Sequence, residues 1–146
     1  MSTPVVGETL HRLLHAYKRA MREGYSGADL EWSVSHIRVL KSIARQADAS
    51  AQHIAERMRQ DKGRIARLIK DLESDGLVER HPHPDDSRRR QLYLTAAGHA
   101  ITEKIAAVEA QAGARMATGL TGNDIQHFIE LAETMIANLD RTENRS

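Results

Sequence analysis

Apolar side chains recur along this chain at spacings of three and four residues over most of its length, and alternate with polar ones only near its middle. From Val6 to Met21 they stand at Val6, Leu10, Leu13, Leu14, Tyr17 and Met21, which predicts an amphipathic helix broken by Gly24, Ser26 and Gly27. A second helix is expected behind Ser33 or Ser35 as cap, with Ile37, Leu40, Ile43 and Ala44 inward. The polar stretch Arg45 to Ala49 reads as a loop. Ser50 then caps a short third helix, Ala51 to Met58, with Ile54 and Met58 facing the core. Asp61 suits the N-cap of a fourth helix running to Asp75, because its carboxylate can accept from the free N–H groups of the first turn. Ile65, Leu68, Ile69 and Leu72 form the buried stripe of that helix, and Lys62, Arg64, Arg67 and Asp71 its solvated side. Gly76 ends it, since a left-handed residue is needed there and glycine has no Cβ to clash.

Two short strands are predicted next, Leu77 to Arg80 and Gln91 to Leu94, separated by a turn-rich stretch from His81 to Ser87. Thr95 caps a long helix to about Ala117, with Ile101, Ile105, Val108 and Met116 as its stripe. Thr121-Gly122-Asn123-Asp124 has the spacing of a capping box, with Asp in place of the usual Glu. The last helix places Ile125, Phe128, Ile129, Ala132, Met135, Ile136 and Leu139 on one face, and Arg141 to Ser146 are expected to fray. The fold class is therefore mainly α with a small β-hairpin. At 146 residues the chain fits a single domain, 1–146, with a central lobe over about 31–95.

Charge sharpens this picture. The formal net charge is only +1, but Arg57, Arg59, Lys62, Arg64, Arg67 and Lys70 crowd one window opposed inside it by Asp61, and Arg88-Arg89-Arg90 follow. Acids gather in the terminal thirds, at Glu103, Glu109, Glu130, Glu133 and Glu143. A near-neutral protein with its positive charge gathered in the middle is built to meet a polyanion on one face. With no cysteine, disulfides, cysteine-based zinc sites and thiol switches are excluded. No apolar run approaches membrane-spanning length and Met1 to Gly7 lacks a secretion-signal pattern, so a cytoplasmic protein without a membrane partner is expected.

Helix, tight turn, helix, strand, turn, strand, helix, with the second helix basic outside, is the order of a winged helix-turn-helix. An α-helix fits the major groove of double-stranded DNA, and residues near its N-terminus reach base edges. The candidates are Lys62, Arg64 and Arg67, with Gln60 just before the helix suited to adenine or a phosphate. Gly63 would let the helix approach the groove wall. The hairpin tip carries Asp86, Ser87, Arg88, Arg89 and Arg90; an arginine there suits a narrow minor groove, where the negative potential is enhanced. Asp86, unfavourable beside DNA, is expected to pair with an arginine or cap a turn and so keep the finger in shape.

Leu72-Glu73-x-x-Gly76-Leu77-Val78-x-Arg80, followed by Asp86-Ser87-Arg88 and Leu94-Thr95-Ala96-Ala97-Gly98, resembles the MarR family of winged helix-turn-helix transcription regulators. Each pattern alone is modest, but together and in register they are specific. The resemblance spans nearly the whole chain, although the flanking helices match only in pattern. It implies a homodimer whose first and last helices, about 1–30 and 96–146, intertwine. It further implies that the fourth helix enters the major groove, that Arg88 reaches the minor groove, and that small aromatic acids or phenolic ligands control binding. In that reading His11, His15, Met21, Trp32 and His36 lie near the effector.

The implied function is a sequence-specific repressor on a pseudo-palindromic operator with half-sites roughly 10 bp apart. The alternative is an architectural DNA-binding protein with little sequence preference and no ligand. An enzyme is not expected: no nucleophile elbow, phosphate loop or paired acids sit on a plausible scaffold, and no cofactor is implied. No metal is implied either. His11 and His15 have ligand spacing, but no local acid or third histidine accompanies them.

Overall fold

The computed structural model describes residues 3–45 and 49–143. Six helices and two strands follow in the order α1 (Thr3–Gly27), α2 (Val34–Arg45), α3 (Ala51–Met58), α4 (Lys62–Ser74), β1 (Val78–His83), β2 (Asp86–Leu94), α5 (Ala96–Met116) and α6 (Gly122–Glu143). The mainly α fold with one hairpin agrees with the sequence pattern. Of the loop expected from Arg45 to Ala49, Arg45 instead ends α2 and residues 46–48 lie outside the described residues. Of the expected frayed end, Arg141 to Glu143 instead continue α6 and residues 144–146 lie outside the described residues.

Helix ends here are set by left-handed residues. Gly76 (φ 75°) closes α4, with Gly76 N–H donating to the Glu73 carbonyl and Leu77 N–H to that of Leu72, both at 3.0 Å. Arg59 (φ 53°) closes α3 in the same way, and Asp29 (φ 61°) closes α1. The first helix is therefore not broken at Gly24, Ser26 and Gly27 but runs through them. Gly24 serves packing instead: a Cβ there would stand 2.6 Å from Val108 Cγ1 of α5. Asp124 and Thr121 cap α6 reciprocally, with Thr121 N–H donating to Asp124 Oδ2 at 2.9 Å and Asp124 N–H to Thr121 Oγ1 at 3.1 Å.

Two compact units are present, one running to Ala112 and the other starting at Gly113. The core of the first joins Met21 and Tyr25 of α1, Ile37, Val39, Leu40 and Ile43 of α2, and Ile54 of α3. It continues through Ile65, Leu68, Ile69 and Leu72 of α4, Leu77 and Val78, Leu92, and Ile105 and Val108 of α5. The sequence reading needs three corrections. Ala44 is exposed while Val39 is buried, α2 being packed against β2 and α3 as well as α4. Met58 only partly packs against the core, at the end of its helix. Met116, the last residue of α5, is half exposed.

In the unit that begins at Gly113, α6 carries Phe128, Ile129, Leu131, Met135, Ile136 and Leu139 exposed. In the first unit, Val6, Leu10, Leu13, Leu14 and Tyr17 of α1 are exposed as well. Side chains of this size are ordinarily covered in a soluble protein, and contiguous apolar surface of this kind marks an interaction surface.

Candidate nucleic-acid interface

The apolar stripe of α4 is the reason its other face is free. Ile65, Leu68, Ile69 and Leu72 are buried at helical spacing, which leaves Lys62, Gly63, Arg64, Arg67 and Lys70 facing solvent. Asp61 caps the helix, accepting from Arg64 N–H at 3.0 Å. A Cβ on Gly63 would come 3.1 Å from the Asp61 carboxylate, so glycine also keeps the cap uncrowded. Gln60 stands apart from these cations. It is half buried in the turn, and its side-chain Oε1 is enclosed without a hydrogen-bond partner among the described residues.

The hairpin is longer and its turn tighter than the pattern of apolar residues predicts. Strands β1 and β2 pair antiparallel from Val78↔Leu94 to Pro82↔Arg90, with an irregularity before His83↔Asp86, so only Pro84 and Asp85 form the tip. Asp86 to Arg90 thus lie on the returning strand, not at the tip. Pro82 is tolerated because a two-stranded ribbon has only edges. Asp86 Oδ1 accepts from Arg88 N–H at 3.0 Å and sits 3.9 Å from Arg88 Nε, while the Arg88 side chain is 95% exposed. Arg90 is exposed opposite Pro82; the side chains of Ser87 and Arg89 fall outside the described set.

Hairpin and α4 are locked together by the residues between and beyond them. Arg80 Nε donates to Glu73 Oε1 at 3.1 Å, from strand back to helix. Thr95 Oγ1 donates to the Gly76 carbonyl at 2.6 Å and accepts from Gly98 N–H at 3.0 Å, so one hydroxyl caps α5 and ties it to the end of α4. Leu92 N–H donates to the Ala49 carbonyl at 3.0 Å, which fixes β2 to the segment before α3. The Arg80 and Thr95 contacts account for positions in the two sequence patterns: Glu73, Gly76 and Arg80 in the first, Thr95 and Gly98 in the second.

A MarR family model matches residues 29–89, the stretch from the end of α1 through the hairpin turn. A mutant MarR from E. coli solved with operator DNA is 25% identical, with a TM-score of 0.77 over 92% of this chain and 97% of that one. The chain is therefore similar to MarR-family regulators, by the family model over its central lobe and by fold over most of its length. It is also 26% identical over 131 residues to the HTH-type transcriptional repressor IacR of Pseudomonas putida, covering 90% of this chain and 77% of that protein. CouR of Rhodococcus jostii, solved with p-coumaroyl-CoA, shares the fold at a TM-score of 0.79 and 22% identity, over 89% of this chain and 90% of that one.

In this MarR-like chain the five residues expected near an effector do not gather in one place. His11 and His15 line a groove along α1 with Thr9, Arg12, Leu13 and Arg19. Met21 is buried in the core. Trp32 and His36 instead reach α4: Trp32 Nε1 donates to Asp75 Oδ2 at 2.7 Å, and His36 Nε2 lies 2.8 Å from Asp71 Oδ2. His36 Nδ1 is also 2.6 Å from Ser33 Oγ, and that oxygen accepts from His36 N–H as the cap of α2. Among the described residues no group of three or more histidine, aspartate or glutamate side chains is placed to hold a metal ion, and no helix is long and apolar enough to cross a membrane.

Two features of the interface escaped the sequence pattern. Ser33, Ser35, Arg64, Arg67, Leu68, Lys70 and Asp71 line a cleft of about 360 Å³ between the start of α2 and α4. Ser35 Oγ there accepts from Arg64 Nη2 at 3.1 Å, across 29 positions of sequence. Lys70 was visible as part of a basic run, but its spacing of three from Arg67 is the signal that puts it beside that residue.

Proposed function

We propose that this chain is a homodimeric, sequence-specific DNA-binding regulator that represses transcription by occupying promoter DNA and is released by a small aromatic or phenolic ligand. The observation that carries it is the rigid coupling of two cationic elements: α4 with Lys62, Arg64, Arg67 and Lys70 outward, and a hairpin with Arg88 in solvent, held together by Arg80–Glu73 and Thr95–Gly76. In this reading α4 lies in the major groove, with Lys62, Arg64 and Arg67 at bases and phosphates and Gly63 allowing close approach. Gln60 contributes through its NH2 group. Arg88 enters the minor groove, Arg89 and Arg90 meet the backbone, and Asp86 shapes the strand that presents them.

The exposed apolar faces of α1 and α6 support a dimer, with about 1–30 and 96–146 as dimerisation helices and 31–95 as the DNA-binding lobe. The repressor IacR supports the sign of regulation, and CouR with p-coumaroyl-CoA the ligand class. Such a protein works in the cytoplasm, without chemistry of its own. His11, His15, Met21, Trp32 and His36 remain the proposed effector neighbourhood, between the dimer helices and the DNA-binding lobe.

A selection from randomised DNA duplexes with the purified protein, at near-physiological salt, tests this reading. An enriched inverted repeat supports it; diffuse enrichment without a motif overturns it in favour of architectural binding.

A further inference from the structure

Helix α2 and the two residues before it hold α4 at three points. Trp32 binds Asp75, His36 binds Asp71, and Ser35 binds Arg64. The α4 partners are seven and four positions apart, so they lie along one side of the helix. The first two grips fix the C-terminal half of α4. The third acts on one of the exposed cations at its N-terminal end, where an inserted helix meets base edges.

Ser35 is free for that task. Ser33 caps α2, so the Ser35 hydroxyl has no capping duty, and the bond it makes is to Arg64. A hydroxyl is also the right holder. A carboxylate in its place would pair with the guanidinium and cancel the charge offered to DNA, whereas a serine oxygen orients one Nη and leaves the charge and the other donors available. An untethered arginine loses rotamer freedom when it docks, and a tethered one has less to lose. Its preferred direction is also already chosen.

We infer that Ser35 is a positioning residue for base recognition: it pre-sets the Arg64 guanidinium, and so sharpens the preference for one base pair in each half-site. This rests on the DNA reading of α4. The test compares wild type, Ser35→Ala, Arg64→Ala, the double variant and Ser35→Thr as full-length chains, each selected on the same randomised duplex pool. Arg64→Ala should erase the preference at one base pair per half-site. Ser35→Ala should weaken the preference at that same base pair about three- to tenfold, Ser35→Thr should restore it, and the double variant should match Arg64→Ala. Thermal melts establish that each variant is folded.

A structural role alone would not give this coupling. If Ser35→Ala is silent, or costs as much in the Arg64→Ala background as in wild type, the positioning role is overturned while Arg64 recognition stands. If Arg64→Ala leaves the base preference intact, or the wild type shows none, the reading of Arg64 falls and the inference with it.

Discussion

Gly98 lies so close to Leu77 that a Cβ on the glycine would stand 2.2 Å from the Leu77 carbonyl oxygen. That oxygen accepts from Thr95 N–H at 3.0 Å, at the corner where α4, β1 and α5 meet. Backbone cannot yield as a flexible side chain does. Gly98→Ala is therefore expected to destabilise the protein by about 3 kcal/mol or more, since it must break this contact or shift α5. Gly27→Ala, with nothing within 4 Å of its added methyl, should change stability by less than about 1 kcal/mol. Paired denaturant melts decide it; similar midpoints would mean that the corner is not rigid.

The wing separates charge from shape. Arg88→Ala should weaken binding to a selected duplex about tenfold or more and lower the salt dependence by about one released counterion. Asp86→Ala removes a negative charge facing DNA, so charge alone predicts tighter binding. The bond from Arg88 N–H to Asp86 Oδ1 predicts the opposite, a loss of a fewfold, because the strand presenting Arg88 loosens. Fluorescence anisotropy across a salt series reads both. Tighter binding by Asp86→Ala would show that the bond has no part in presenting Arg88.

The sequence legible at a distance was the sequence governed by local rules. The α4 stripe, the Asp61 and Ser50 caps and the Thr121–Asp124 box follow from residues within one turn of each other, and all appear as expected. The end of α1 did not, because it depends on a left-handed aspartate, Asp29, while nearby glycines offered the more obvious breaks. The outer half of the hairpin was missed because a ribbon standing in solvent needs no alternation of apolar residues: from Glu79 to Pro82 every β1 side chain is exposed. Ser35–Arg64 joins two helices through a pairing that leaves no periodic trace.

The apolar side chains left in solvent on α6 give a direct test of assembly. Ile136 is 52% exposed and Leu139 71%, so a charge at either costs the isolated chain little. In a dimer that covers them, the same charge is buried without a partner and penalised by several kcal/mol. Ile136→Glu with Leu139→Glu should shift the protein from the mass of two chains to that of one in sedimentation, with helicity largely kept and DNA affinity sharply reduced. A double variant that sediments as wild type would place the dimer contact elsewhere.

Tyr25 links pH to stability. The residue is 5% exposed, and burial, with the nearby Glu109 carboxylate and then Tyr17 adding, pushes its hydroxyl up to about 12. Glu109 is itself paired with Lys41 Nζ at 2.5 Å, so this corner joins α1, α2 and α5. In the unfolded chain Tyr25 ionises near its ordinary value of about 10, whereas the folded state resists ionisation until about 12. Its contribution is therefore intact below pH about 10 and is lost between about 10 and 12, at about 1.4 kcal/mol per pH unit. Tyr25→Phe cannot ionise and should lose correspondingly less stability over that window, with little difference from wild type at pH 8. Denaturant melts of both proteins across that range test this, and parallel declines would mean that Tyr25 titrates alike in the folded and unfolded chains.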